Sequence, residues 1–509
     1  MSAENKLDIV EKLETGIPGF DLIALGGIPK NRVTLIAGTA GSGKTVFATQ
    51  FLVEGVKRGE AGLFITFEDS PKAIRKNMRG FGWNIQLWQE ENNWGFVDVS
   101  PEPGQQIING EYDIEVLLAR IEFAIKKYKA KRVVMDSIDT IFNQVGDTVQ
   151  IRSHLYHISY TLRELEVTTI ITAERNSEYG DISRNGIEEF VADNVVIMRN
   201  VLLEEKRHRT IEILKYRGTE HQHGEYPFTI LSERGIIVIP PSPTEEKHRD
   251  IHHINTRITA GNQEVDKMCG GGFFHNSIIL ISGATGTGKT LMATDFIAAG
   301  IAEGKKCLLV SFDENREQIY RNARGWGKDF ENMEQKKSLK IVCLKPELNT
   351  LENHLLKIKE MIEEFQPSRL VVDSLSSLER ISNFKEFREL IIVITSVIKE
   401  REIAGIFTSN TTTLTGGASI TEELISTVSD SIILLRYVEV YGQILRGIAV
   451  IKMRGSQHDK DIREFSINEA GMHISKPFRN ITGILTNTPV YLSLSEIEQL
   501  SNLFDNRTQ

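Results

Sequence analysis

The sequence predicts an α/β fold written twice along one chain of 509 residues. Three observations carry that expectation. The string LIAGTAGSGKT, Leu35 to Thr45, returns as LISGATGTGKT, Leu280 to Thr290, at an offset of 245 between Lys44 and Lys289. Further strings repeat downstream in the same order. Within each copy, β-branched apolar runs alternate with helical apolar patterns. A period this long means two whole domains, each able to bury its own core, and not a solenoid.

The elements follow in order. Arg32 to Ala37 is a short apolar run that predicts a strand. Thr45 to Lys57 places Phe47, Ala48, Phe51, Leu52 and Val56 on one helical face. Leu63 to Phe67 is the next strand. Strands alternating with helices imply a mostly parallel twisted sheet with crossover helices on both faces. LFITFEDSP (Leu63 to Pro71) matches LLVSFDENR (Leu308 to Arg316) at the offset of 245, and RVVMDSID (Arg132 to Asp139) matches RLVVDSLS (Arg369 to Ser376). ILKYRG (Ile213 to Gly218) matches VIKMRG (Val450 to Gly455), now at 237. The proline-rich polar string from Pro240 to Lys247 reads as an extended linker. The expected layout is a first domain over 1–239, a linker over 240–254, a second domain over 255–485 and a tail over 486–509 with no counterpart in the first copy.

Composition bounds the function classes. Hydrophobic residues are 40% and charged residues 25%, as in soluble globular chains. No apolar run reaches the roughly eighteen residues of a membrane span. Met1 to Val10 is polar and mixed in charge, so no secretory signal is expected. Cys269, Cys307 and Cys343 show no CxxC spacing and read as thiols in a reducing, cytoplasmic setting. A net charge of -9 argues against binding nucleic acid through its backbone.

The strongest chemical signal is GxxxxGK[ST], present as Gly38-Thr39-Ala40-Gly41-Ser42-Gly43-Lys44-Thr45 and Gly283-Ala284-Thr285-Gly286-Thr287-Gly288-Lys289-Thr290. Each follows an apolar strand and opens a helix, the context this phosphate loop requires. Its glycines let backbone N–H groups converge on phosphate oxygens. Its lysine neutralises the β- and γ-phosphates of ATP, and the Thr45 or Thr290 hydroxyl holds Mg²⁺. Asp136 and Asp373 each end an apolar strand and suit the magnesium side of such a site. The acidic pairs Glu68-Asp69 and Asp313-Glu314 follow the strand after the P-loop helix, where a carboxylate would orient or deprotonate an attacking water or hydroxyl. They also suit a helix start. Lys215/Arg217 and Lys452/Arg454 are spaced by two, which on a strand puts both cations on one face. They suit an arginine finger reaching a phosphate in a neighbouring subunit. On spacing alone, a solvated face with salt bridges reads equally well.

P-loop, acidic pair, strand-end aspartate and terminal KxR in this order resemble a RecA-type ATPase domain, here in tandem. With KYRGTEHQHGEYPFTI in copy one, KMRGSQHDKDIREFSI in copy two, and ERNSEYGDISRNGIEEFVADNVVIMRNV and ITEELISTVSDSIILLRYVE, the chain resembles the KaiC family of circadian clock ATPases from about Leu13 to Val490. The resemblance implies two tandem RecA-like domains, a double-ring homohexamer, an ATPase first copy, and a second copy that phosphorylates and dephosphorylates itself. It lands the phosphorylation sites on Ser426 and Thr427, with Thr421 as a transient acceptor. Aligned at 237, Glu189-Phe190 stands opposite that dipeptide and offers no hydroxyl. The family carries Glu-Glu at both acidic positions; here Asp313 is one methylene shorter, which leaves the base role open between Asp313 and Glu314. A KaiB-like partner fits the first ring. The short, divergent tail weighs against a KaiA-like partner. The alternatives are a RecA/DnaB-like DNA motor, disfavoured by acidic or neutral loops such as Asn143 to Gln150, and a nucleotide-sensing scaffold without kinase activity.

Overall fold

In the computed structural model the described residues are 10–100, 114–142, 148–182, 192–203, 206–240, 256–410, 425, 427–440, 442–479, 481–484 and 490–491. The chain divides into two compact units, Met1–Pro240 and Pro241–Gln509. Each is an α/β domain built on a nine-stranded sheet.

In the first unit the strands are β1 (Val33–Gly38), β2 (Gly62–Thr66), β3 (Trp94–Asp98), β4 (Arg132–Asp136), β5 (Thr168–Glu174), β6 (Asn194–Leu203), β7 (Lys206–Tyr216), β8 (Glu225–Leu231) and β9 (Gly235–Val238). They lie side by side as β3-β2-β4-β5-β1-β6-β7-β8-β9. β1 to β6 pair in parallel, and β7 to β9 extend the sheet antiparallel. The parallel part bears out the alternation of strands and helices; the antiparallel extension goes beyond it.

The parallel strands are apolar on both faces because both faces are covered. Leu35 packs with Ile121 and Ile158, from α3 (Ile114–Tyr128) and α4 (Thr148–Glu164). Its neighbour Ile36 packs with Phe47 and Phe51 of α1 (Lys44–Lys57) and Ile74 of α2 (Pro71–Met78). Successive strand side chains point to opposite faces, so one continuous apolar run feeds two cores.

The second unit repeats the pattern with β10 (Ile278–Gly283), β11 (Cys307–Ser311), β12 (Leu339–Cys343), β13 (Arg369–Asp373), β14 (Ala404–Asn410), β15 (Ser431–Val440), β16 (Gln443–Met453), β17 (Arg463–Asn468) and β18 (Gly471–Pro477). Their order, β12-β11-β13-β14-β10-β15-β16-β17-β18, is that of the first sheet. The P-loop helix here is α5 (Lys289–Ala302), with Phe296 and Ile297 in the core. No helix among the described residues is long and apolar enough to cross a membrane.

Candidate nucleotide sites

Each P-loop is the turn from the central strand into its helix, β1 to α1 and β10 to α5. Gly43 and Gly288 stand at the helix starts with φ of 102° and 108°, and no side chain caps either helix. A left-handed φ is what glycine accepts without steric penalty. The uncapped first-turn N–H groups are therefore directed out of the helix end, an anion-binding arrangement. At Gly38 an added Cβ would meet the Met198 carbonyl oxygen at 2.5 Å, and at Gly283 the Leu435 carbonyl oxygen at 2.4 Å. The P-loop lysines fold back over the turn. Lys44 Nζ donates to the carbonyls of Gly38 (2.9 Å) and Thr39 (3.1 Å), and Lys289 Nζ to those of Gly283 (2.8 Å) and Ala284 (2.9 Å). Burial holds both ammonium groups below their ordinary pKa. An anion in the cradle would oppose that cost. The buried Ser42 hydroxyl has no bonding partner in the loop, and the Thr287 hydroxyl donates to Ala284.

The strand-end aspartates stand beside the P-loop. Thr290 Oγ1 donates to Asp373 Oδ2 at 2.8 Å, and Thr408 donates to the other oxygen. In the first copy Thr172 donates to Asp136, and Thr45 bonds the same carboxylate. Burial pushes both carboxyls above the ordinary range. A buried carboxylate paired with a P-loop hydroxyl is a donor set fitted to Mg²⁺.

The acidic pairs separate into two kinds of position. Glu68 Oε1 accepts from Ser137 (3.2 Å) and Thr140 (2.9 Å), just beyond Asp136. Asp313 accepts from Ser374 (2.8 Å) and from Ser377, just beyond Asp373. The first carboxylate of each pair is thus held by hydroxyls just past the strand-end aspartate. Asp69 is exposed. Glu314 instead turns to Asn322, which donates to its Oε1 at 2.9 Å, and lines a pocket with Thr290, Ser311 and Asp373. Its other oxygen is buried without a partner, and burial raises its pKa. The helix start was legible too, but its caps are Ser70 and Asn315, just after the acidic residues.

The KxR pairs sit elsewhere. Lys215 and Lys452 lie in β7 and β16, while Arg217 and Arg454 fall just past the strand ends. Register places them. Tyr216 is opposite Asn194, which is opposite Thr34, near the start of β1. Met453 is opposite Ser431, which is opposite Ile279. Each P-loop begins at the far end of the same central strand, at Gly38 or Gly283. Four residues of strand separate the levels, about 13 Å. At their own end, Lys215 Nζ donates to Ala192 O (3.0 Å) and Lys452 Nζ to Ser429 O (2.8 Å). Arg217 pairs with Asp193 (3.5 Å), and Arg454 with Asp430 (3.8 Å). Arg454 also donates to the Thr427 carbonyl at 2.7 Å, and Thr427 is exposed. Ser426, Thr421 and Glu189-Phe190 lie outside the described residues.

Sequence reasoning missed the hydroxyls that hold the carboxylates: Ser137, Thr140, Ser374 and Ser377 for the acidic pair, Thr172 and Thr408 for the aspartates. The repeat carried a signal, since all six align with one another at 236 or 237: Ser137 with Ser374, Thr140 with Ser377 and Thr172 with Thr408. It also missed Glu174, the largest charge partner of Lys44, which aligns with the neutral Asn410.

Comparison with known proteins finds the same two-copy layout. The family model described as "ATPase: KaiC" matches residues 13–243 and 258–478, one stretch per copy. The Circadian clock protein KaiC3 of a Synechocystis species is 62% identical over 507 residues, 99% of each chain. The Circadian clock oscillator protein KaiC of Thermosynechococcus vestitus is 47% identical over 495 residues, 97% of this chain and 95% of the relative. The Circadian clock oscillator protein KaiC 1 of Synechocystis is 46% identical over 495 residues.

Proposed function

Because the chain belongs to the KaiC family of ATPases, we propose that it is a hexameric ATP hydrolase and serine/threonine autokinase working in a circadian or related timing system. ATP is held between subunits, by the P-loop of one chain and the KxR pair of the next. The observation that supports this is the register: each KxR pair stands at the end of the sheet opposite its own P-loop, a position suited to another chain's nucleotide. Lys44 and Lys289 neutralise the phosphates, and Thr45 with Asp136 and Thr290 with Asp373 hold Mg²⁺. In the first copy Glu68 orients a water for hydrolysis.

In the second copy the nucleophile is a hydroxyl of Ser426 or Thr427. Thr427 lies on the KxR side, beside Arg454 and Asp430, so its phosphate comes from a neighbour's P-loop. Asp313 takes the hydroxyl proton, the oxygen bonds to the γ-phosphorus, the bond to the bridging oxygen breaks, and ADP leaves. A KaiB-like protein is the partner that fits this reading, docking on the first ring; the divergent tail gives no support to a KaiA-like one.

A mixing experiment tests the arrangement. Lys289→Ala subunits can accept phosphate but not donate it; Ser426→Ala/Thr427→Ala subunits can donate but not accept. With Mg-ATP, neither alone should be modified. Mixed rings should carry phosphate on the Lys289→Ala chains, as read by mass spectrometry. Mixtures that stay unmodified while the parent is phosphorylated would rule the trans arrangement out.

A further inference from the structure

The first P-loop is gripped by a carboxylate outside the nucleotide-site motifs. Past the end of β5, Glu178 turns its side chain back toward the sheet. Its Oε1 accepts the Thr39 hydroxyl at 2.6 Å, and its Oε2 accepts the backbone N–H of Asn200, on β6, at 2.9 Å. Thr39 is the second residue of the P-loop, and its carbonyl accepts Lys44 Nζ. One loop residue is thus tied by its side chain to Glu178 and by its backbone to the P-loop lysine. The stretch that carries Glu178 is itself fixed. The buried Arg175 donates to the carbonyls of Glu178, Gly180 and Asp181 at 3.0 to 3.1 Å, and the buried Arg199 donates to the Glu178 carbonyl at 3.2 Å. Their two positive charges offset a carboxylate that would otherwise stand alone beside a phosphate site.

The second copy is built differently. Ala284 replaces Thr39 and has no hydroxyl to offer. Tyr437 replaces Asn200, and its hydroxyl donates to the Thr285 carbonyl at 3.3 Å. The residues aligned with Glu178 at 236 and 237 are Leu414 and Thr415, neither of them acidic.

We propose that Glu178 is a positioning residue of the first nucleotide site, a latch that pre-orders the P-loop through Thr39 and has no equivalent in the second. It rests on the reading that the first P-loop binds ATP. A loop ordered before its ligand arrives pays less ordering entropy on binding, so the latch acts on nucleotide affinity at one of the two sites.

The test uses the full chain with the second site disabled by Lys289→Ala, and measures equilibrium binding of a non-hydrolysable ATP analogue with Mg²⁺. Glu178→Ala and Thr39→Ala should each weaken binding roughly tenfold. The double variant should lose no more than Glu178→Ala alone, since that variant already removes the Thr39 bond together with the one from Asn200. Glu178→Gln should stay within about twofold, because its carbonyl can accept from Asn200 while its amide donates to the Thr39 hydroxyl oxygen. In a Lys44→Ala background, Glu178→Ala should leave second-site affinity unchanged. Thr39→Ala imports the second copy's own residue and carries the test if Glu178→Ala does not fold. The latch is overturned if the alanine variants bind like their background, if their losses add, or if the glutamine variant is as weak as alanine. Intact binding with no ATP turnover in the Lys289→Ala background would instead sink the hydrolase reading and leave the latch standing.

Discussion

At the end of the second strand the two copies set their first carboxylate alike and their second apart. Glu68 and Asp313 each receive two hydroxyls from the segment after the strand-end aspartate, although Asp313 is a methylene shorter. Asp69 is left exposed, whereas Glu314 is drawn into a pocket by Asn322. Repetition preserves the hydroxyl partners of the first carboxylate and lets the surroundings of the adjacent one drift. The difference supports the proposal of the first acidic residue as the base in both copies, because its hydroxyl partners are kept while the surroundings of the second change.

The largest expected effects would break the comparison at the KxR pairs. An arginine finger contributes roughly 10³ to 10⁵ in rate. Arg217→Ala should therefore cost first-copy turnover on that order and leave phosphorylation of the second copy in place. Arg454→Ala should do the reverse, as followed by phosphate release and by mass spectrometry. Arg454→Lys should recover only part of the loss, since lysine keeps the charge but not the planar fork. If either alanine variant silences both copies equally, the copies are not separate sites.

The carboxylates come next. Loss of a positioned base costs on the order of 10² to 10⁴ in rate. Glu68→Gln and Asp313→Asn should show losses of that size, in hydrolysis and in autophosphorylation respectively. Asp69→Asn should change first-copy hydrolysis by less than about tenfold, and Glu314→Gln should do the same for phosphorylation. A Glu314→Gln effect matching that of Asp313→Asn would put the base on the second residue of the copy-two pair and end the parallel between copies.

Much of this site was legible in the sequence because its chemistry constrains residue type. A backbone cradle for phosphate needs glycine where φ is left-handed, as at Gly43 and Gly288, which makes GxxxxGK[ST] after a strand a specific signal. The strand-end aspartates stood out through the repeat. Other features leave no such mark. Apolar periodicity reports a strand but not its partner, so the antiparallel extension from β7 to β9 was not visible. The KxR spacing suggested a shared strand face, yet Arg217 and Arg454 lie past the strand ends, where the turn decides their direction. Thr172, Thr408 and Glu178 are ordinary residues far in sequence from the groups they hold, and only the fold brings them there. The dipeptide proposed for phosphorylation was suggested only by resemblance, because paired hydroxyls are common on any surface.

The smallest expected effect concerns how the P-loop helices are pinned. In the first copy the buried Gln50 does this as a neutral group, donating to Gly16 O (2.9 Å) and Ile236 O (3.3 Å) and accepting from Ile236 N (2.8 Å). At the offset of 245 the second copy has Asp295, 7% exposed, with Lys328 3.4 Å away. There Asn262 donates to the Met472 carbonyl, the aligned counterpart of Ile236 O. Burial raises the Asp295 carboxyl above its ordinary pKa, only partly countered by Lys328. The folded unit therefore binds this proton more tightly than the unfolded chain. The cost of the charged form is absent below the unfolded value, near 3.9, and grows as pH rises through the folded one. Asp295→Asn removes the titration, and Lys328, partly exposed, can return to water. The variant should be more stable than the parent at pH 7 by about 1 kcal/mol, with the advantage vanishing near pH 4. Hydrogen exchange of second-unit amides across that range reads the difference. A variant less stable at pH 7 would mean that the Lys328 pair outweighs the desolvation of Asp295, and that the second copy has replaced the neutral pin of the first with a net-favourable charged one.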